Sequence, residues 1–424
     1  MPNYMPRVVD SVLERKLSGK GAVLIEGAKW CGKTTTAERH AASVLSLSNP
    51  DTLVQSMAMA ELQPMRLLQG GAPRLLDEWQ LIPRLWDAVR FAVDQRRQPG
   101  QFILTGSAVP PSLQDMRHTG TGRFAWVRMR PMSLLESGDS SGVVSLRRLF
   151  AGEDEVDGEN PLDLERVAWL VCRGGWPQAI PLKGDAALEQ ALDYHDAVIR
   201  QDASRVDGVI RSPERVRRFL RSYARLQGTQ ASQQSICADL GAGRSTGFCA
   251  DTVHSYLEAL RKIFVIEDLE TWVPDLRARI AIRTAETRFF TDPSIAVAAL
   301  GVGPADLLDD LRSFGFFFEA LAVRDLRVFA EALDGNLYHY RDSSGLECDA
   351  VLHRRNGTYG LIEVKLGGER LIEEGAANLR KLVAKLDLRK MRAPSFQMVL
   401  VAEGKYAYRR KDGVLVVPVG CLGV

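Results

Sequence analysis

Three groups of residues in this chain are of types that do chemistry, and their spacing indicates which chemistry. The first is Gly27-Ala28-Lys29-Trp30-Cys31-Gly32-Lys33-Thr34, followed by Thr35, a complete G-x-x-x-x-G-K-T loop. In such a loop the glycines let backbone N–H groups curl around phosphates, Lys33 reaches the β- and γ-phosphates, and the Thr34 hydroxyl holds Mg²⁺. The second group is Asp77-Glu78 together with Thr105 and Ser107, each pair closing a short apolar run. The third is Glu319, Asp349 and Glu363-x-Lys365, carboxylates and an amine on otherwise apolar segments. Charges so placed are expensive to bury unless they bind something; the alternative is an exposed hairpin with ordinary salt bridges.

The elements that must position these residues are legible from periodicity. The apolar run 22–25 precedes the glycine-rich loop and a helical stretch continues to Arg39, the strand-loop-helix context that gives the motif meaning. Runs 74–77 and 101–107 predict two further strands, and helices between them imply a parallel sheet covered on both faces. In the C-terminal part, a buried helix from Gly315 carries Glu319, an alternating strand from Glu347 carries Asp349, and a returning strand carries Glu363 and Lys365 on one face. Turn length decides whether Asp349 joins them. A two-residue turn at Asn356-Gly357 places Asp349 opposite Val364, whereas a three-residue loop with Gly357 left-handed places it opposite Glu363.

A chain of 424 residues is too long for one core and is expected to form two to four domains. No apolar run reaches eighteen residues and the first seven residues resemble no secretory leader, so no membrane association and a cytoplasmic location are expected. The six cysteines (31, 172, 237, 249, 348, 421) lack C-x-x-C spacing, which argues against zinc and against a disulfide framework. Cys31, near a helix N-terminus and Lys33, leaves a redox switch open. A net charge of +2 says little about partners, but its distribution is uneven. Seven acids lie at 153–165, and seven arginines at positions 205, 211, 215, 217, 218, 221 and 225 suggest a basic face.

Sequence resemblance sharpens these readings. The runs LLDEWQLIPRLWDAVRF, FILTGS and GTGRFAWVRMRPMSLLE, with Arg173-Gly-Gly-Trp-Pro downstream, resemble prokaryotic AAA-type P-loop ATPases with a C-terminal domain of uncharacterised function. In P-loop NTPases Asp77 would hold Mg²⁺ through water and Glu78 would polarise the attacking water. Thr105 and Ser107 would sense the γ-phosphate, or only cap the next turn. The resemblance implies that Arg123 stabilises γ-phosphate charge, in cis or, in a homo-oligomer, in trans. No Asn-Lys-x-Asp motif is present, which favours ATP over GTP. Glu319, Asp349 and Glu363-x-Lys365 resemble the PD-(D/E)xK nuclease core. There Asp349 and Glu363 would be ligands of Mg²⁺ or Mn²⁺, Lys365 would position water, and Glu319 would be an accessory acid.

Between these parts, helices predicted from Pro213, around 233–240 and from Asp251 precede strand-like 265–272 and 287–290, which flank a basic loop at 277–283. Three helices and a two-stranded wing describe a winged helix. Thr252, His254, Ser255, Arg261, Lys262, Arg277 and Arg279 are candidates for DNA contact; a module that only packs between domains is the alternative. The expected architecture is multidomain α/β: an AAA-type P-loop sheet at 1–150, an acidic linker and helical region at 151–210, a winged helix at 211–300 and an α/β nuclease-like domain at 301–424. Val414–Val417 reads as a closing strand, and Pro418 after it suits a sheet edge. The expected function is ATP binding and hydrolysis coupled to DNA binding and metal-dependent cleavage. A switch or scaffold that recruits a protein partner, with a silent nuclease-like domain, is the other reading.

Overall fold

The computed structural model describes residues 4–107, 120–153, 155–203, 206–241, 248–274 and 285–424. Arg205, Arg277, Arg279 and the rest of the basic loop 277–283 lie outside the described residues. The chain forms two compact units: the first comprises 1–131, 201–211 and 259–264, and the second comprises 132–200, 212–258 and 265–424.

The first unit is built on β1 (Ala22–Glu26), β2 (Ser43–Ser46), β3 (Arg74–Asp77), β4 (Phe102–Gly106) and β5 (Phe124–Arg128). They form one parallel sheet in the order β2-β3-β4-β1-β5. Every residue of β4 and the first four of β1 are buried, as a parallel sheet covered on both faces requires. The helices of this unit are α1 (Val8–Gly19), α2 (Lys33–His40), α3 (Pro50–Leu62), α4 (Pro64–Leu67) and α5 (Leu85–Arg96). Leu85, Trp86, Val89 and Val93 on one side of α5 join Leu24, Leu76, Phe102 and Leu104 in a single core, where Trp86 stacks on Phe124.

The second unit holds a seven-stranded mixed sheet in the order β7-β12-β13-β11-β10-β9-β8. Its strands are β7 (Gly158–Glu159), β8 (Gly335–Arg341), β9 (Glu347–Arg354), β10 (Tyr359–Lys365), β11 (Phe396–Val401), β12 (Tyr406–Arg409) and β13 (Leu415–Pro418). A short pair, β6 (Val144–Ser145) and β14 (Leu422–Gly423), stands apart. Gly158–Glu159 thus pair with β12 inside the acidic stretch, and Asp163 caps a helix. The expected edge position of the closing strand is corrected: β13 lies between β11 and β12. Pro418 is tolerated because the pairing with β12 runs only through Leu415 and Val416.

Around this sheet lie α6 (Leu146–Phe150), α7 (Leu164–Arg173), α8 (Asp185–Ala197), α9 (Pro213–Arg225), α10 (Gln233–Gly241), α11 (Ala250–Lys262), α12 (Pro293–Leu300), α13 (Pro304–Asp309), α14 (Leu311–Ala332) and α15 (Glu369–Lys385). The last four residues of α11 belong to the first unit. Helix α15 buries Ala376, Leu379 and Leu382 against Val399, Val401 and Leu361 of the sheet. Segments 265–272 and 287–290 meet through two antiparallel bridges, Ile266 with Phe290 and Leu269 with Thr287, rather than a continuous ladder.

Candidate functional site

Strand β1 delivers the glycine-rich loop at its C-terminal end, and α2 begins at Lys33 with Gly32 left-handed (φ 101°) as its N-cap. A Cβ on Gly27 would stand 1.9 Å from the Met129 carbonyl oxygen, so only glycine lets the loop pass there. Lys33 Nζ reaches back across the loop to the carbonyls of Gly27 (2.9 Å) and Ala28 (2.7 Å). Thr34 Oγ1 donates to Asp77 Oδ1 at 2.7 Å, and Thr105 Oγ1 donates to the same oxygen at 2.6 Å. The Glu78 N–H donates to Thr105 Oγ1 (3.2 Å), while Ser107 Oγ (3.0 Å) and Gln80 Nε2 donate to Glu78 Oε2.

Register explains why residues so far apart in sequence meet: β3 and β4 are adjacent and parallel, with Asp77 directly opposite Thr105. Glu78 sits left-handed at φ 57°, a conformation that costs a non-glycine residue of order 1 kcal/mol and clusters at working sites. The chemistry of this set fits a magnesium nucleotide. A hydroxyl and a carboxylate already share one hydrogen bond, and the positive end of α2 faces the loop that an anion would enter.

The remaining loop candidates are placed differently. Lys29 pairs with Asp202 at 2.5 Å, Trp30 is left-handed (φ 64°) and 45% exposed, and Thr35 is exposed in the first turn of α2. Cys31 is fully buried with Sγ 3.5 Å from the Met129 carbonyl, which denies it the accessibility a redox switch needs. Two positioning residues carry no motif. Buried Arg7 donates to the carbonyls of Cys31 and Arg130, both at 2.8 Å, and Asp202 holds Lys29.

Arg123 is the exception. It precedes β5, whose Phe124 stands opposite Ala22, so it lies at the N-terminal edge of the sheet while the loop leaves the C-terminal edge. Five residues of strand, roughly 16 Å at 3.3 Å each, intervene. Its guanidinium donates to Asp94 (2.9 Å) and to the Thr121 carbonyl (3.0 Å). Strand parallelism therefore removes the cis role considered for Arg123.

In the second unit the Arg354 N–H donates to the Thr358 carbonyl at 2.8 Å and closes a three-residue loop, 355–357, between β9 and β10, with Gly357 at φ 82°. The register then puts Asp349 opposite Glu363, the odd-numbered arrangement. Lys365 Nζ lies 2.9 Å from Asp349 Oδ2 and 2.7 Å from Glu363 Oε2, and the Val364 N–H donates to Asp349 Oδ2 at 2.8 Å. Asn378 on α15, which no motif announced, donates to Glu363 Oε1 at 2.7 Å. Glu319, Asp349 and Lys365 line a cleft of about 480 Å³ with His339; Glu363, 2% exposed, is covered.

Electrostatics follows from this crowding. Burial, then the Asp349 charge, push Glu363 up to about 8 against the pull of Lys365. Burial and the same carboxylate raise Glu319 well above the ordinary range. Burial opposes charge on Lys365, but Asp349 and Glu363 more than offset it, and its pKa ends above that of a free lysine. The carboxylate oxygens suit a hard divalent cation, with Asp349 and Glu363 the residues that would hold it. The ammonium lies between them, and among the described residues no group of three or more His, Cys, Asp or Glu is placed to hold a metal ion.

On α9, Val216, Phe219, Leu220 and Tyr223 are buried and Arg217, Arg221 and Arg225 exposed, while Arg218 is half-buried and donates to the Leu240 carbonyl at 3.3 Å. Arg225 is held by Asp239, and buried Arg211 by Asp207 at 2.7 Å. On α11, His254 is exposed and Thr252, Ser255, Arg261 and Lys262 are half-buried.

Comparison with known proteins agrees with the N-terminal geometry. Residues 19–137 match a family described as AAA domain, residues 164–306 a domain of unknown function (DUF8612), and residues 314–422 another domain of unknown function (DUF4143). The chain therefore carries a P-loop AAA domain on a mixed α/β fold. Uncharacterized proteins of Mycobacterium tuberculosis and Mycobacterium bovis are each 23% identical over 410 residues, covering 96% of this chain and 82% of theirs. The Walker-type ATPase of Pyrococcus abyssi is similar at 16% identity and a TM-score of 0.43, over 70% of this chain and 96% of that one. Among the described residues no helix is long and apolar enough to cross a membrane.

Proposed function

We propose that this protein binds MgATP at the glycine-rich loop and hydrolyses it. The observation that carries the reading is the continuous hydrogen-bond chain Thr34–Asp77–Thr105–Glu78–Ser107 beside Lys33. Backbone N–H groups of 27–33 and Lys33 would take the phosphates, and Thr34 and Asp77 would hold Mg²⁺, which when bound neutralises developing phosphate charge. Glu78, oriented by Ser107 and Gln80, would accept a proton from the attacking water, and Thr105 would fix the acids relative to one another.

For the second unit we propose action on a phosphodiester of nucleic acid. Support comes from Asp349 and Lys365 lining one cleft with Glu319, with covered Glu363 paired to Lys365 behind it, and from the exposed Arg217, Arg221 and His254 on a three-helix module. Asp349 and Glu363 would hold Mg²⁺ or Mn²⁺, which when bound polarises the scissile phosphate. Lys365 bridging both carboxylates favours the other reading, a silent site on a nucleotide-dependent switch that recruits a protein partner.

One experiment separates them: cleavage of single- and double-stranded DNA with Mg²⁺ or Mn²⁺, with and without ATP, in wild type, Lys33→Ala and Lys365→Ala. Cleavage lost in Lys365→Ala, and altered by ATP only where Lys33 is intact, is the expected result. ATP turnover without cleavage under any condition selects the switch; absent turnover in wild type sinks the ATPase reading.

A further inference from the structure

We infer that the cavity next to the carboxylate cleft is a nucleobase subsite, in which Gln227 reads a base edge and Phe316 stacks on its face; the inference rests on the phosphodiester reading of that cleft. Gln227 lies two residues beyond the end of α9 and is 2% exposed, yet neither its amide nitrogen nor its amide oxygen has a hydrogen-bond partner. Each such buried group is left unpaired at a cost of about 1–3 kcal/mol, so a fold retains one chiefly where something else pairs with it.

Gln227 lines a cavity of about 340 Å³ whose apolar walls include Leu300, Val302, Leu307 and Phe317. That volume lies within the roughly 300–1,000 Å³ of small-molecule sites. A flat, largely apolar ring with a donor and an acceptor side by side on one edge is what such a lining takes. Of the charges on this cavity, Asp306 and Asp310 outnumber Arg225, whose guanidinium is already held by Asp239, so the balance disfavours a phosphate and leaves the base as the part of a nucleotide that enters.

The geometry ties this cavity to the carboxylates. Phe316, 40% exposed, lines both the cavity and the cleft of Glu319, Asp349 and Lys365. Gly228, next to Gln227, is left-handed at φ 72°, and a Cβ there would stand 2.9 Å from the Phe316 ring and 3.5 Å from Glu319 Oε2. A strand whose phosphate lies at Asp349 and Lys365 therefore presents a neighbouring base to Phe316, and aromatic stacking accepts any base. A carboxamide prefers adenine, whose N6 amino group and N7 present a matching donor and acceptor.

The test is fluorescence anisotropy of labelled dA12, dC12 and dT12, with Ca²⁺ in place of Mg²⁺ so that strands stay intact, and with saturating ADP so that the glycine-rich loop is occupied in every arm. Wild type is expected to bind dA12 about tenfold more tightly than dT12. Gln227→Leu, which removes the unpaired amide without opening a void, should keep or raise its melting midpoint and lose that preference. Phe316→Ala should weaken all three strands about tenfold. Equal affinity of wild type for the three strands, or a dA12 preference that survives in Gln227→Leu, overturns the subsite. Failure of wild type to bind any strand overturns it too, and Mn²⁺ titration followed by electron paramagnetic resonance then shows how far the damage reaches. Mn²⁺ bound by wild type and lost in Asp349→Asn leaves the carboxylate site standing; no Mn²⁺ bound removes the phosphodiester reading as well.

Discussion

At the scale of single residues the two sites differ in how much they depend on neighbours. Thr105 touches Asp77 and Glu78 at once, so its hydroxyl does geometric work that no charge announces. Thr105→Val keeps the shape and deletes both bonds. ATP turnover is expected to fall about 10²-fold with nucleotide affinity held within about threefold, measured by steady-state kinetics beside equilibrium binding. A variant with unchanged turnover leaves Thr105 as a turn cap. Glu363 supplies the pH prediction: its carboxyl is held at about 8 against an ordinary 4.5. The raised value means that the folded protein keeps this proton where the unfolded chain has lost it. Stability from this group is full below 4.5 and falls as pH rises through about 8. A divalent cation must displace that proton, so calorimetry at pH 7 in buffers of different ionisation enthalpy should register about one proton released per Mn²⁺ bound. Binding without proton release would place the metal elsewhere.

At the scale of elements, the Gly174-Gly175-Trp176 step shows why a sequence motif with no chemistry can still be rigidly specified. The Met132 N–H donates to the Gly175 carbonyl at 2.6 Å, the Gly175 N–H donates to Asp292 at 3.0 Å, and Trp176 Nε1 donates to Ser294 at 3.0 Å. Asp292 also takes Arg324 of α14 at 3.0 Å, and Asp325 accepts the Leu134 N–H at 2.9 Å. The turn, α12 and α14 are thus clamped through buried charges that are costly to separate. A Cβ on Gly175 would meet the Met132 carbonyl at 2.1 Å, so Gly175→Ala should destabilise the second unit by about 1–3 kcal/mol, read as a lower melting midpoint. An unchanged midpoint would show that the backbone relaxes freely there. The amphipathic face of α9 was readable from its spacing because burial follows a 3.6-residue period. That Arg218 bends back onto the Leu240 carbonyl was not readable, because the distance between two helices is not a local property.

At the scale of the molecule, parallel strands bear on the role considered for Arg123. With Arg123 at one edge of the sheet and the loop at the other, turnover by an isolated protomer should be indifferent to Arg123→Ala. If assembly brings this arginine to another copy, wild-type turnover per protomer rises with protein concentration and the variant's does not; an effect of Arg123→Ala at high dilution would contradict the strand geometry. The sequence by itself determined the phosphate loop, because its glycines, lysine and threonine are specified at fixed spacing within eight consecutive residues. It also determined which residues could share a strand face, since side-chain alternation is local. Only the tertiary structure decided that the β9–β10 loop has three residues and brings Asp349 to Glu363, and that Lys365 stands between them. The same holds for Thr105 opposite Asp77, Arg7 beneath the loop and Gln227 unpaired beside Phe316. Each depends on register or packing between segments tens to hundreds of residues apart, where the deciding energies are collective and leave no signature in any one stretch of chain.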